Sequence, residues 1–325
     1  SVILLSFIKA PKEEDYLLGG REIHYWVSAI STHASDMSSW LFLAFPGAVF
    51  MGGSKEVWAA LGLVVGMWML WTYIATPIRV KTRELGVSSL NEFISTLSVG
   101  SVWGKVLSIV VSVLIIIFLI IYISAGFKGV GVLCQSAFGS SMLSGIWWGA
   151  IFVMLYTAFG GYTTVTMVDA FQGIFLLIVL LVMSTVAALD IMSDVSHSFN
   201  SQQVIGVSHD TGFNLNWFSG GVVTASGWAV GYFGMPHILT KFMGISNIKE
   251  IKKARSLGMS WQFLSLSCAA IIGLAARYKW GSTSYIDNHE TVLLQLANYL
   301  FSPFFYGVII CAVLAASLST LDAQV

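Results

Sequence analysis

"SAISTHASDMSSWLF", residues 28–42, sets one carboxylate and a run of hydroxyl and small side chains inside a stretch, 25–50, that is otherwise largely apolar and holds no Lys or Arg. An aspartate at the centre of a membrane helix costs about 2.5–3.5 kcal/mol on insertion scales, so Asp36 needs a compensating environment. Three readings compete: a neutral carboxyl hydrogen-bonded to another helix, a partner for a basic side chain, or part of a cation pathway. Its own span offers no base. Small and hydroxyl neighbours let backbones approach closely or hydrogen-bond carbonyl groups. Around a buried carboxylate they also fit an unwound turn whose carbonyls coordinate an ion.

The rest of the chain supports the membrane premise. Its 325 residues are 56% hydrophobic and 10% charged, against about 25% charged in soluble domains, and the mean hydropathy is +0.81. Apolar runs of roughly 20 residues, enough to cross the hydrocarbon core, recur from end to end, so the fold class is an all-α polytopic membrane protein built as one transmembrane domain. The net charge of zero excludes a strongly basic surface and argues against nucleic acid. Cys134, Cys268 and Cys311 are far apart in apolar surroundings and read as buried structural thiols rather than a metal or disulfide framework. The opening run lacks the basic leader and cleavage site of a signal peptide. Both ends are expected to cut through a membrane helix.

Hydropathy and turn signals give a partial helix at 1–8, then spans near 25–50, 57–77, 102–126, 143–162, 166–189, 217–243, 255–276 and 301–325. With the loop after the first partial helix inside, twelve of the 16 basic residues, Lys241 among them, fall in inside regions. The remaining four, Lys55, Lys128, Arg277 and Lys279, fall outside. That asymmetry agrees with the preference of Lys and Arg for cytoplasmic loops. The connection from Asp190 to Asn216 has neither, as suits an external loop.

Two further spans carry interruptions. In "SGWAVGYFGMPH", residues 226–237, three glycines and Pro236 crowd one apolar run, and Pro236 removes a backbone donor, so a break or kink is expected. Trp228 and Tyr232, four apart, share a face and offer an aromatic wall; an interface belt or plain bundle packing would use the same residues. In "AASLSTLDAQ", residues 315–324, Ser319 and Thr320 offer hard oxygen ligands for a hard cation, although serines in membrane helices also serve packing. Asp169 in "VTMVDAFQG" reads either as a carboxylate at the positive end of a helix dipole or as part of an ion path. Phosphate loops, nucleophile elbows and metal-protease motifs are absent from the sequence, so no catalytic residue is expected.

"DYLLGGR" at 15–21, "ASDMSSWLFLAFPGAVF" at 34–50, "GWAVGYFGMPHI" at 227–238 and "AASLSTLDAQ" together resemble the sodium/solute symporter family, and within it the proline branch. The resemblance implies an inverted-repeat core of two five-helix units with an extra helix in front. Residues 1–24 would be the end of that extra helix and its loop, 25–189 the first repeat and 217–325 an incomplete second one. It further implies a sodium ion bound by the backbone carbonyls of Ala34, Met37 and Ala316 and the hydroxyls of Ser319 and Thr320. Asp36 and Asp169 would serve ion coupling, and Tyr122, Trp228, Tyr232, Pro236, Ser38 and Ser39 would contact the solute. Ser39 stands where the proline branch has glycine, and Lys241 where it has arginine; the latter reads as a retained cytoplasmic charge.

The function expected on that basis is sodium-coupled symport of a small solute, L-proline first, by alternating access in the cell membrane. Its partners would be sodium, the solute and the lipid bilayer. The alternatives are the same carrier fold for another amino or organic acid, a sugar or a vitamin, and a transporter-like core feeding a membrane sensor.

Overall fold

A computed structural model describes residues 13–97, 102–198, 215–281 and 288–324. The expected partial helix at 1–8 lies outside the described residues, as does 199–214 of the long connection. Helices dominate: α1 Glu13–Leu18, α2 Tyr25–Met37, α3 Ala44–Gly52, α4 Val57–Met69, α5 Ala75–Glu84, α6 Leu90–Leu97, α7 Val102–Phe138, α8 Met142–Ser198, α9 Leu215–Gly231, α10 Pro236–Met243, α11 Ile251–Trp280, α12 Val292–Leu300 and α13 Pro303–Gln324. No β-strand forms among the described residues; an isolated bridge pairs Ile23 with Ile245.

Among the described residues, five helical stretches are long and apolar enough to cross a membrane. The spans expected at 25–50 and 217–243 are instead pairs of half-helices, α2 with α3 and α9 with α10. Both breaks follow from local chemistry. Ser38 takes φ 49° and ψ −169° and ends α2, and Pro236 stands at the first position of α10, where its missing N–H costs nothing. Between the spans expected at 143–162 and 166–189 the chain breaks at Gly161, with φ 59° and ψ 176°, a conformation glycine adopts without penalty. The helix beyond it runs past Asp190 to Ser198, nine residues further than the expected boundary at 189.

α2 lies at the centre, packed against α8, α11 and α13, while α9 leans on α4. The contact of α2 with α8 depends on Gly173. A Cβ there would stand 2.7 Å from Ile30 Cγ2 and 2.9 Å from Ala34 Cβ, closer than carbon atoms pack. Trp261 of α11 completes this corner, its Nε1 donating to Gly173 O at 2.9 Å. Gly173→Val is expected to lower stability by about 1–3 kcal/mol through overpacking, read as a fall in melting temperature of the purified protein. An unchanged melting temperature would remove Gly173 as the contact's determinant.

The two ends of the bundle differ in charge. Arg21 is buried at one end, donating to Val87 O at 2.6 Å and Thr82 Oγ1 at 3.0 Å, and Arg79 Nε donates to Ile245 O at 2.5 Å. At the other end Arg277 NH1 donates to Phe50 O and Met51 O, each at 2.7 Å, and Lys279 pairs with Asp190 and Asp194 at 2.7 and 3.1 Å. Lys241 departs from the expected pattern. It is not a loop charge but a side chain 4% exposed on α10, inside the bundle.

Candidate ion and solute site

The site is assembled where α2 stops. Ser38 Oγ accepts a hydrogen bond from Trp40 N at 3.0 Å and so caps the short 3-10 turn Ser39–Leu41. Ending the helix at Met37 leaves the carbonyls of its last turn, Ala34 to Met37, without the N–H partners a continuing helix would supply. The unwound segment expected at 34–39 is therefore shifted: residues 34–37 stay helical and the irregular backbone covers 38–43. Ala34, Met37, Ala316, Ser319 and Thr320 are all buried. Their carbonyl and hydroxyl oxygens are the hard donors that suit a hard cation.

Asp36 is buried and meets a neighbouring helix segment. Tyr232, 1% exposed, donates its hydroxyl to Asp36 Oδ2 at 2.5 Å, and Gln262 Nε2 donates to the same hydroxyl at 3.3 Å. The Tyr122 hydroxyl donates to the Asp36 carbonyl at 3.4 Å. Close by, Trp71 Nε1 donates to His33 Nε2 at 3.2 Å. Of the three readings open for Asp36, hydrogen bonding to another helix is the one these contacts display.

Asp169 organises a second buried cluster. It sits eight residues beyond the Gly161 break and not in a first turn, so the helix-dipole reading gives way to direct partners. Lys241 Nζ lies 2.6 Å from Asp169 Oδ2, and Ser35 Oγ donates to the same oxygen at 3.2 Å. Ser319 Oγ donates to Oδ1 at 2.6 Å. The carboxylate is 0% exposed, so the pair is fully desolvated and depends on these added hydrogen bonds to offset burial. On the same helix as Ser319, the Thr320 hydroxyl donates to Ala316 O at 3.3 Å. Ser35 from α2, Asp169 from α8, Lys241 from α10 and Ser319 from α13 thus converge on one carboxylate.

A cavity of about 200 Å³ opens beside this cluster, walled in part by Ser38, Ser39, Trp40, Tyr122, Thr320 and Gln324. Lys128 and Glu290 also line it and stand 3.5 Å apart. Three expected solute contacts, Ser38, Ser39 and Tyr122, are in that wall; three are not. Trp228 packs behind it, its ring 5.2 Å from that of Trp40, Tyr232 is turned to Asp36, and Pro236 serves as the first residue of α10.

Sequence reasoning missed Lys241 as the partner of Asp169, although two opposite charges in apolar spans are a signal for such a pair. It also missed Ser35 and His237. The His237 ring stacks on Tyr122 at 6.1 Å, and neither of its nitrogens has a hydrogen-bond partner among the described residues. Among the described residues no cluster of three or more His, Cys, Asp or Glu forms a metal-binding group.

Comparison with known proteins agrees with this architecture. The chain is 34% identical over 319 residues to the high-affinity proline transporter PutP of Bacillus subtilis (strain 168), covering 95% of this chain and 65% of that protein. It is 32% identical over 334 residues to the sodium/proline symporter of Escherichia coli (strain K12), covering 99% of this chain and 65% of that one. The chain thus spans 65% of the length of these relatives. A solved structure of a Na+-coupled sialic acid symporter, in a substrate-bound outward-open state, superposes with a TM-score of 0.77 at 14% identity. That match covers 99% of this chain and 68% of that structure and shows that the two share a fold, an all-helical membrane core with inverted repeats. Residues 16–325 match the Sodium:solute symporter family, and over nearly its whole length the chain belongs to this family.

Proposed function

We propose that this chain carries the coupling core of a sodium-driven symporter for a small zwitterionic solute, with L-proline first among the candidates, in the cell membrane. The observation that carries the reading is the meeting of α2 and α13 at the break after Met37: Ser35 and Ser319 share Asp169, and Ser38 and Thr320 share one cavity wall. Sodium held by the carbonyls of Ala34, Met37 and Ala316 and the hydroxyls of Ser319 and Thr320 would tie the broken end of α2 to α13. That would fix the cavity wall at Ser38 and Ser39 against which the solute binds. Coupling of this kind is reciprocal, so the solute tightens sodium binding by the factor by which sodium tightens the solute's. The inward sodium gradient and the membrane potential, about 2.3 kcal/mol per charge per 100 mV, then drive accumulation.

We assign residues 25–189 to the first repeat and 217–325 to the opening helices of the second, with 1–24 ahead of both. The reading is of a carrier, and no catalytic role is given to any residue. The two names carried by the proline-transporting relatives favour proline. The 200 Å³ cavity, with aromatic, hydroxyl and charged groups in its wall, is compatible with a compact zwitterion.

Sodium-dependent uptake of labelled proline by the full-length protein in proteoliposomes tests the proposal. Uptake that needs sodium and is competed by excess unlabelled proline is the expected result. Sodium-dependent uptake of another solute alone would change the substrate, and sodium-independent uptake would overturn the coupling. Within the same assay, Trp228→Ala is expected to raise the KM for solute about 3- to 10-fold, since an aromatic pair contributes about 0.5–1.5 kcal/mol and Trp228 backs Trp40 in the wall. Sodium half-saturation should move less; equal shifts in both would place Trp228 in the general packing instead.

A further inference from the structure

Lys241 has no role in the proposal above, yet its ammonium is bonded to a carboxylate that also binds one of the expected sodium ligands. We propose that Lys241 is a tethered cation: its Nζ holds the place of a monovalent metal ion on Asp169, and removing it opens a second sodium site there. The inference rests on the reading that Ser319 and its neighbours bind sodium.

Four observations carry it. The ammonium is buried and 2.6 Å from Asp169 Oδ2, with Ser35 Oγ on the same oxygen and Ser319 Oγ on the other. Nζ thus stands on one oxygen of a carboxylate that two hydroxyls also bond, and carboxylate and hydroxyl oxygens are the hard donors that suit sodium. The backbone that carries the lysine is held in place, because the Lys241 carbonyl accepts from Ser28 Oγ at 3.2 Å and from the Tyr162 hydroxyl at 3.4 Å. Nζ also lies 5.9 Å from the centre of the Tyr162 ring. Lastly, Asp322 is buried on α13, and its Oδ1 has no hydrogen-bond partner among the described residues.

Lys241 thus brings to Asp169, from within the chain, the one positive charge that the carboxylate faces; without the lysine the same carboxylate calls for one mobile cation more.

The test compares the purified full-length protein with its Lys241→Met and Lys241→Arg variants, counting bound radiolabelled sodium at saturation and recording melting temperature in sodium and in choline. Lys241→Met is expected to bind one sodium more than the wild type, and Lys241→Arg the same number as the wild type. In choline, Lys241→Met leaves Asp169 buried without its cation and melts well below the wild type; sodium is expected to restore most of the difference. The double variant Lys241→Met with Asp169→Asn should lose both the extra sodium and the sodium-dependent rise. Equal sodium counts in wild type and Lys241→Met, with equal sodium responses in melting, would overturn the proposal. The wild type's own count reads the symporter proposal separately: if it binds none while Lys241→Met binds one, the tethered-cation inference stands and the sodium site fails. Should Lys241→Met give no folded protein in either salt, the same comparison with Lys241→Gln, which keeps a polar stem, decides the matter by the same difference in count.

Discussion

Asp169→Asn is expected to destabilise the protein by about 3–5 kcal/mol, the cost of leaving a buried ion pair with one partner missing. Lys241 is 4% exposed and its α10 backbone is pinned by Ser28 and Tyr162, so the ammonium cannot reach water without moving the helix. Asparagine keeps the shape and one acceptor oxygen but cancels the charge. Ser35 and Ser319, which now donate to the two carboxylate oxygens, would then compete for one. Removing both charges is gentler than removing one. Asp169→Asn with Lys241→Met should therefore recover most of the lost stability, although the sodium response goes with it. Melting curves of the single and double variants in the same detergent check both statements. A single variant that melts like the wild type would mean that the pair opens to water.

How much of this could be read beforehand depends on the range over which each cause acts. The broken helices are local: a serine-rich turn around Asp36 and a Gly and Pro crowd before His237 advertise interruptions within a few residues, and the half-helices follow. The positions of the breaks were less legible. The unwound turn begins at Ser38 because that residue takes positive φ, a choice set by the capping contact of its own hydroxyl with Trp40 N and not by hydropathy. The partnership of Asp169 with Lys241 spans 72 residues. Nothing in either local pattern names the other, and a lysine two residues from the end of its expected span, at 243, reads as a cytoplasmic charge although it is buried. Tyr232 shows the same limit. Its spacing from Trp228 would put both on one face of a continuous helix, but α9 ends at Gly231, one residue before Tyr232, so one ring backs Trp40 and the other's hydroxyl reaches Asp36.

Asp36→Asn is expected to weaken sodium activation of uptake by roughly 30- to 150-fold while leaving the fold intact. A full charge roughly 5–8 Å from a bound cation, at an effective dielectric of about 20, contributes about 2–3 kcal/mol. Asp36 lies two residues beyond Ala34 and one before Met37, whose carbonyls are the proposed ligands, so a charge there would act on the ion without touching it. The fold should tolerate the change because Asn keeps an oxygen to accept from Tyr232, and no buried cation is orphaned, in contrast to Asp169→Asn. Tyr232→Phe separates charge from position. It removes the 2.5 Å hydrogen bond but keeps the carboxylate, so sodium activation should shift by less than in Asp36→Asn. The shift in Tyr232→Phe would reflect only looser placement of the broken end of α2. Uptake measured across a sodium titration reads all three proteins. If Tyr232→Phe weakened sodium as much as Asp36→Asn, the carboxylate would be acting through its contact with Tyr232 and not through its field.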